Sequence, residues 1–246
     1  MLLSLLAGTS FGQNQRQRIS QPTPRWPDGR VNLATVPGEK GHWIRTRREL
    51  VIDANTTNTL PTDLKVENVP FQPWAKALFD YRRIKDNRDS PHARCKPDAG
   101  PREIATAYGF EMVEFPEAQR VLIFDIGGPQ TFRTIYMDGR AHPKDLAPSY
   151  LGHSVGRWEG DTLVVDSVGF NERNWIDVEG LVYTDRYHQT ERFTRTDFNT
   201  LKYEVTVDDP RTYTRPWKGG WDVAWVAGED IEEYFCEENA EATFVR

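Results

Sequence analysis

Residues 150–170 read YLGHSVGRWEGDTLVVDSVGF. Apolar and polar residues alternate on both sides of Trp158-Glu159-Gly160, the pattern of an antiparallel hairpin. Glutamate is poorly suited to a positive φ, so a two-residue loop of Glu159-Gly160 is disfavoured. A three-residue loop with Gly160 left-handed and a bulge beside it fits better. That register sets Arg157 opposite Asp161, Val155 opposite Leu163 and His153 opposite Val165. An imidazole then shares a face with apolar partners and, towards the turn, a guanidinium–carboxylate pair.

Outward from the hairpin the strand signals continue. Residues 121–126 form a dense apolar run ended by Gly127-Gly128, and 131–137 alternate before the turn pair Asp138-Gly139. Residues 187–196 alternate again, and Leu201, Tyr203, Val205 and Val207 share one face until Asp208-Asp209-Pro210 stops the strand. Residues 221–226 and 231–236 complete the series. One helix is expected over 72–85, with Pro73 in its first turn, an apolar stripe of Trp74, Ala77, Leu78 and Tyr81, and Arg82, Arg83 and Lys85 near its C-terminal end. The expected fold is all-β, an antiparallel meander forming a barrel-like or curved sandwich body. Before it lies an extended arm over 13–60, anchored by Trp26, Trp43 and a short strand near 50–52. Residues 61–246 make one β-rich domain.

Composition agrees. The 246 residues include eight Trp and 12% aromatics against 38% hydrophobic residues, so large rings must supply much of the buried area. Sixteen Pro and eighteen Gly provide many turns. A mixed net charge of −6 with no basic stripe argues against nucleic acid as a partner. Residues 1–12 carry a short apolar run followed by Ser10-Phe11-Gly12, a small-x-small pattern, and read as a signal peptide lacking its basic n-region. No later stretch approaches the roughly 18 apolar residues of a membrane helix. A periplasmic or secreted location is expected. Cys95 and Cys236 fit it as one long-range disulfide, worth about 4–5 kcal/mol in the chain-entropy model. Two free buried thiols and a two-cysteine metal site are the alternatives.

The chain has no G-x-S-x-G, Walker loop, G-x-G-x-x-G or H-E-x-x-H, and no cofactor is expected. Chemistry must come from dispersed groups. His153 is the first candidate for a general base, against a structural histidine bonded within a packed strand. His188 opens H-Q-T-E-R, which puts His188, Thr190 and Arg192 on one face and Gln189 and Glu191 on the other. Asp161 and Asp166 lie on the strand beside His153 and complete the catalytic set. Candidate ligand contacts are Arg140 and His142 after the Asp138-Gly139 turn, Tyr136 before it, Trp158 at the hairpin, Asn171 and Trp175 in the following loop, and Glu191. His42 and His92 are expected to be solvated. A metal would require His153, His188 and one carboxylate, and no metal is assigned.

The motifs CKPDAGPR, IYMDGRAHP, GHSVGRWEGDTLVVDSVGFN, TERFTRTDFNTLKYEVTVDDP and EYFCEEN resemble a large family of secreted bacterial β-rich proteins. The resemblance spans most of residues 26–239. It implies an exported bacterial protein and supports pairing Cys95 with Cys236, but it assigns no activity. The residues themselves point to an enzyme of hydrolase or lyase type using histidine–carboxylate chemistry on a small organic or sugar-like substrate. A non-catalytic ligand carrier and a cell-envelope structural module are the rival readings.

Overall fold

The computed structural model describes residues 21–47, 50–52, 64–85, 88–125, 127, 129, 131–231 and 233–236. The expected signal peptide lies outside them. The strands are β1 (Gly41–Arg45), β2 (Val51–Ile52), β3 (Leu64–Lys65), β4 (Phe110–Phe115), β5 (Arg120–Asp125), β6 (Thr131–Tyr136), β7 (His153–Glu159), β8 (Thr162–Val168), β9 (His188–Asp197), β10 (Thr200–Asp208) and β11 (Trp217–Ala227). Strands β4 to β11 follow one another around a closed barrel, and β1 seals it between β11 and β4. The short β2 and β3 pair separately, in parallel. The described residues also form two helices, α1 (Pro73–Ile84) and α2 (Pro101–Ile104), the latter buried along its whole length.

Alternation makes the wall two-sided. Leu163, Val165, Phe193, Leu201, Tyr203, Val205, Val207, Trp221 and Val223 point inward and are buried together. The intervening residues of β8, β9 and β10 remain partly exposed in most positions. A ring with an odd number of strands cannot alternate direction all the way round. The nine strands therefore include one parallel contact, β6 to β7, with Ile135 opposite Ser154 and Tyr136 opposite Val155. Residues 137–152 connect these two strands, so the Asp138-Gly139 turn, with Gly139 at φ +73°, opens a crossover instead of a hairpin.

The hairpin register differs from the expected one. Glu159 pairs with Thr162, which leaves a two-residue turn of Gly160-Asp161. Gly160 holds φ +60° at the first turn position, where glycine suits a type II′ geometry. Both loops considered from the sequence, Glu159-Gly160 and Trp158-Glu159-Gly160, placed the glycine last and not first. His153 consequently faces Val168, Val155 faces Asp166 and Arg157 faces Val164. The expected Arg157–Asp161 pair does not form: Arg157 bonds Glu159, and Asp161 pairs with Arg25 at 2.6 Å.

Each barrel end is covered. At the end holding the β4–β5, β7–β8 and β9–β10 turns lies the segment 21–34. There the Trp26 indole donates to Glu114 (2.8 Å), and buried Arg195 donates to the carbonyls of Asn32 (2.8 Å) and Ala34 (3.1 Å). Trp43 lies within barrel strand β1, so the wall reaches into the segment read as an arm; five residues of GHWIR are too few to show a period. Helix α1 covers the opposite end. Its buried face is Ala75 and Phe79, with Phe79 stacked on Phe71 at 5.2 Å, whereas Trp74 is 46% and Tyr81 50% exposed. Of the expected stripe only Leu78 packs against the core, partly buried, and the fully buried positions lie one residue further on, because large rings were favoured over a small residue at the contact. Residues 231 and 233–236 form no strand; Cys236 is disulfide-bonded to Cys95, 141 residues away.

Replacing Phe79 by Ala is expected to cost about 3–5 kcal/mol, and Trp74 by Ala less than about 1 kcal/mol. Urea unfolding of the two variants measures the difference, and the reverse order would restore the Trp74 stripe.

Candidate functional site

The outward residues of β7, β8 and β9 meet the crossover on one patch of the wall. His153 opens β7, Asp166 points out from β8 two residues before its end, and His188 opens β9. His142, carried in by the crossover, fits between the first two. Its Nδ1 lies 2.8 Å from His153 Nδ1, and its Nε2 lies 2.8 Å from Asp166 Oδ1. Asp166 Oδ2 accepts from His188 Nε2 at 2.7 Å, and the Thr190 hydroxyl stands 3.4 Å from the same oxygen. The result is a continuous chain, His153–His142–Asp166–His188. Tyr136 stacks on His153 at 5.1 Å, and the Arg140 guanidinium lies 4.0 Å from the Tyr136 ring while Arg140 Nε donates to Asp138 at 2.9 Å.

One ionised group determines the tautomers along this chain. The hydrogen bond from His188, opposed by partial burial and joined by that from His142, holds the Asp166 carboxyl down to about 2. As a carboxylate it only accepts, so His142 Nε2 must donate. Neutral His142 then offers a lone pair at Nδ1, His153 Nδ1 donates to it, and His153 Nε2 is left unprotonated. The end groups are also driven apart. Burial, with the nearby His142 and Arg140, holds the His153 imidazole below its ordinary value. The bond to Asp166 raises that of His188. The His153 end is thus biased towards the neutral form and the His188 end towards the protonated form on one patch, the arrangement acid–base catalysis requires. The side chains of His142, Asp166 and His188 are 22%, 29% and 39% exposed, so a ligand can reach them.

Six residues singled out by sequence thus converge: Tyr136, Arg140, His142, His153, Asp166 and His188. Five others do not. Asp161 sits in the hairpin turn with Arg25. Trp158 lines a separate hollow of about 250 Å³ with Arg30 and Glu114. Asn171 accepts from the Arg173 amide and shapes its own loop. Trp175 is buried beneath the Arg82 guanidinium, 4.7 Å away. Glu191 points into the barrel, as alternation from His188 requires.

Glu191 belongs to a polar network that sequence reading missed. Arg133 donates to both its oxygens (2.6 and 3.2 Å), Gln189 and Tyr203 donate at 2.9 Å each, and Glu103 lies 2.9 Å from Arg133 Nε without hydrogen-bond alignment. Arg133, Glu103 and Glu191 are at most 1% exposed. One guanidinium faces two carboxyls, and burial pushes the Glu103 carboxyl well above its ordinary value against the opposing pull of Arg133. Near the helix-covered end, His92 Nδ1 contacts Asp98 at 2.7 Å and Arg102 clamps the other Asp98 oxygen at 2.7 Å. His92 is therefore tied into structure and His42 is 93% buried by the same packing that closes β1, against the solvated placement expected for both. The four-residue spacing of Asp98 and Arg102 was the available signal. Among the described residues no group of three or more His, Cys, Asp or Glu is arranged to hold a metal ion.

No family model matches the chain, and neither a curated protein nor a solved structure is significantly similar to it.

Asp125, beside this network, gives a pH test. Burial, with Asp98 nearby, raises its carboxyl to about 7. The folded state thus binds this proton more tightly than the unfolded chain, whose value is about 3.9. The stabilising contribution is full below about pH 4 and lost as pH rises towards 7. Asp125→Asn retains the oxygen that accepts from the Gly127 amide and removes the ionisation. Its stability relative to wild type is expected to rise by a few kcal/mol between about pH 5 and 8. Urea melts at both pH values measure this, and a constant difference would contradict it.

Proposed function

We propose that the protein is an exported enzyme performing general acid–base chemistry at the outer-wall histidine chain, with a small hydroxylated organic or sugar-like molecule as substrate. One observation carries this reading: Asp166 bridges His142 and His188, which leaves His153 Nε2 as a base and His188 as an acid on the same accessible patch. His153 Nε2 takes a proton from the substrate while its Nδ1 proton passes to His142, where the positive charge rests against Asp166. His188 supplies a proton to the departing or protonated group. Hydrolysis and elimination both need this pair of transfers. Tyr136 and Arg140 hold the base in place from its open side.

Export is supported by the bonded Cys95–Cys236 pair, by the apolar N-terminal run, and by the resemblance of the central motif to secreted bacterial proteins. No helix among the described residues is long and apolar enough to cross a membrane. The outward positions of β7 to β11 carry histidine, aspartate, threonine, arginine and lysine, a surface suited to water and not to lipid.

A panel of neutral and acidic oligosaccharides and simple esters, followed by mass spectrometry, tests the proposal. Wild type is expected to convert at least one member, and His153→Gln and His188→Asn each to slow that conversion about 100-fold or more with the melting temperature retained. Turnover that survives both substitutions would contradict the assignment. Saturable binding with no turnover of any member would leave a ligand carrier in its place.

A further inference from the structure

The registers of β8 to β11 line up four outward side chains across the wall. Asp166 pairs with Thr190, Thr190 with Thr206, and Thr206 with Lys218. Their neighbours Val165, Glu191, Val205 and Trp217 are buried, so the row itself faces solvent. Three strand spacings separate its ends, about 14 Å. Beside it the wall opens into a hollow of about 420 Å³ lined by Thr190, Thr206, Lys218 and Gly220 among others. The floor is bare because Gly220 must be glycine: a Cβ there would meet the Tyr203 carbonyl oxygen at 2.2 Å.

Charge and hydrogen bonding narrow what this hollow accepts. Of its three cations, Arg192 is engaged by Glu159 at 2.7 Å, and Lys202 by Glu204 at 3.0 Å with Asp222 directly across the strand pair. Lys218, among the described residues, makes no ion pair and is exposed. Tyr203 and Trp221 are buried behind the hollow, so neither presents an exposed ring for stacking. Between the cation and the histidine chain stand two threonine hydroxyls on adjacent strands, each able to donate and to accept. The Thr190 hydroxyl links the hollow directly to Asp166.

We propose that this row is the substrate cleft of the histidine site and that it takes a short acidic oligosaccharide. Its carboxylate lies on Lys218, its ring hydroxyls on Thr206 and Thr190, and the ring that reacts at Asp166 and His188. The inference rests on the acid–base reading above for what happens at the far end, whereas binding itself depends only on the row.

Calorimetric titration at low salt with trigalacturonate and with the neutral trimer cellotriose tests it on the full chain. Trigalacturonate is expected to bind and cellotriose to bind at least about tenfold more weakly. Lys218→Glu should weaken trigalacturonate about tenfold or more, since it sets like charges together. Lys85→Glu, which makes the same charge change at the helix end, should not. Circular dichroism and melting confirm that each variant folds. Failure of trigalacturonate to bind, equal binding of cellotriose, or an unchanged affinity in Lys218→Glu overturns the proposal. The two readings fail separately. His188-dependent turnover of a neutral substrate with no trigalacturonate binding sinks the acidic cleft alone. Lys218-dependent binding without turnover sinks the catalytic reading alone.

Discussion

Closure of the barrel with nine strands is the constraint on which the rest depends. An odd ring forces one parallel neighbour, and here it falls between β6 and β7. A parallel join cannot be made by a tight turn, so residues 137–152 must leave one strand end and return to the start of the next. That excursion carries Arg140 and His142 over the wall. Without it His153 and Asp166 would stand on neighbouring strands with nothing between them. The site is thus a consequence of topology as much as of the residues in its strands.

Inside and outside the wall the same strands do different work. On β9 the inward residues Gln189 and Glu191 belong to a sealed network around Arg133, while the outward residues His188 and Thr190 belong to the accessible chain on Asp166. A single period of two separates them. Burial decides their roles: Glu191 is fully enclosed, with its oxygens engaged by four donors, and has no route to a ligand. The His188 side chain is 39% exposed and contacts a carboxylate shared with a second histidine. Removing one partner of the inner network would strand a buried charge, whereas removing one histidine of the outer chain would cost little stability. The inner network specifies the barrel, and the outer chain is free to act.

Much of this was legible in the residues. Alternation in 187–196 and 201–207 identified β9 and β10 and the faces on which His188 and Glu191 lie. Tyr136, Arg140, His142, His153, Asp166 and His188 could each be named as candidates from their places near strand ends. Their convergence could not, because it depends on a crossover whose sequence, DGRAHP, reads as an ordinary turn. The hairpin register slipped because a glycine next to an aspartate and a glycine next to a glutamate offer two turns of different length, and only cross-strand packing chooses. The phase of α1 was misjudged for a related reason. Ala75 shows no hydrophobic bulk, yet a close approach of helix to barrel needs a small residue there. Arg133 and Glu103 went unnoticed and His92 was read as solvated, since a buried charge has no periodic signature of its own; only its partners reveal it.

The central claim is that ionised Asp166 fixes the protonation of the three histidines, and long-range proton–nitrogen NMR of the imidazoles tests it most directly. At about pH 8, where His153 is neutral, its proton is expected on Nδ1, opposite to the Nε2 form common for free histidine in water, with His188 titrating above and His153 below the ordinary value near 6.5. Asp166→Asn should abolish the separation between the two. A His153 proton on Nε2 in the wild type, or two histidines titrating together and unchanged by Asp166→Asn, would contradict the account.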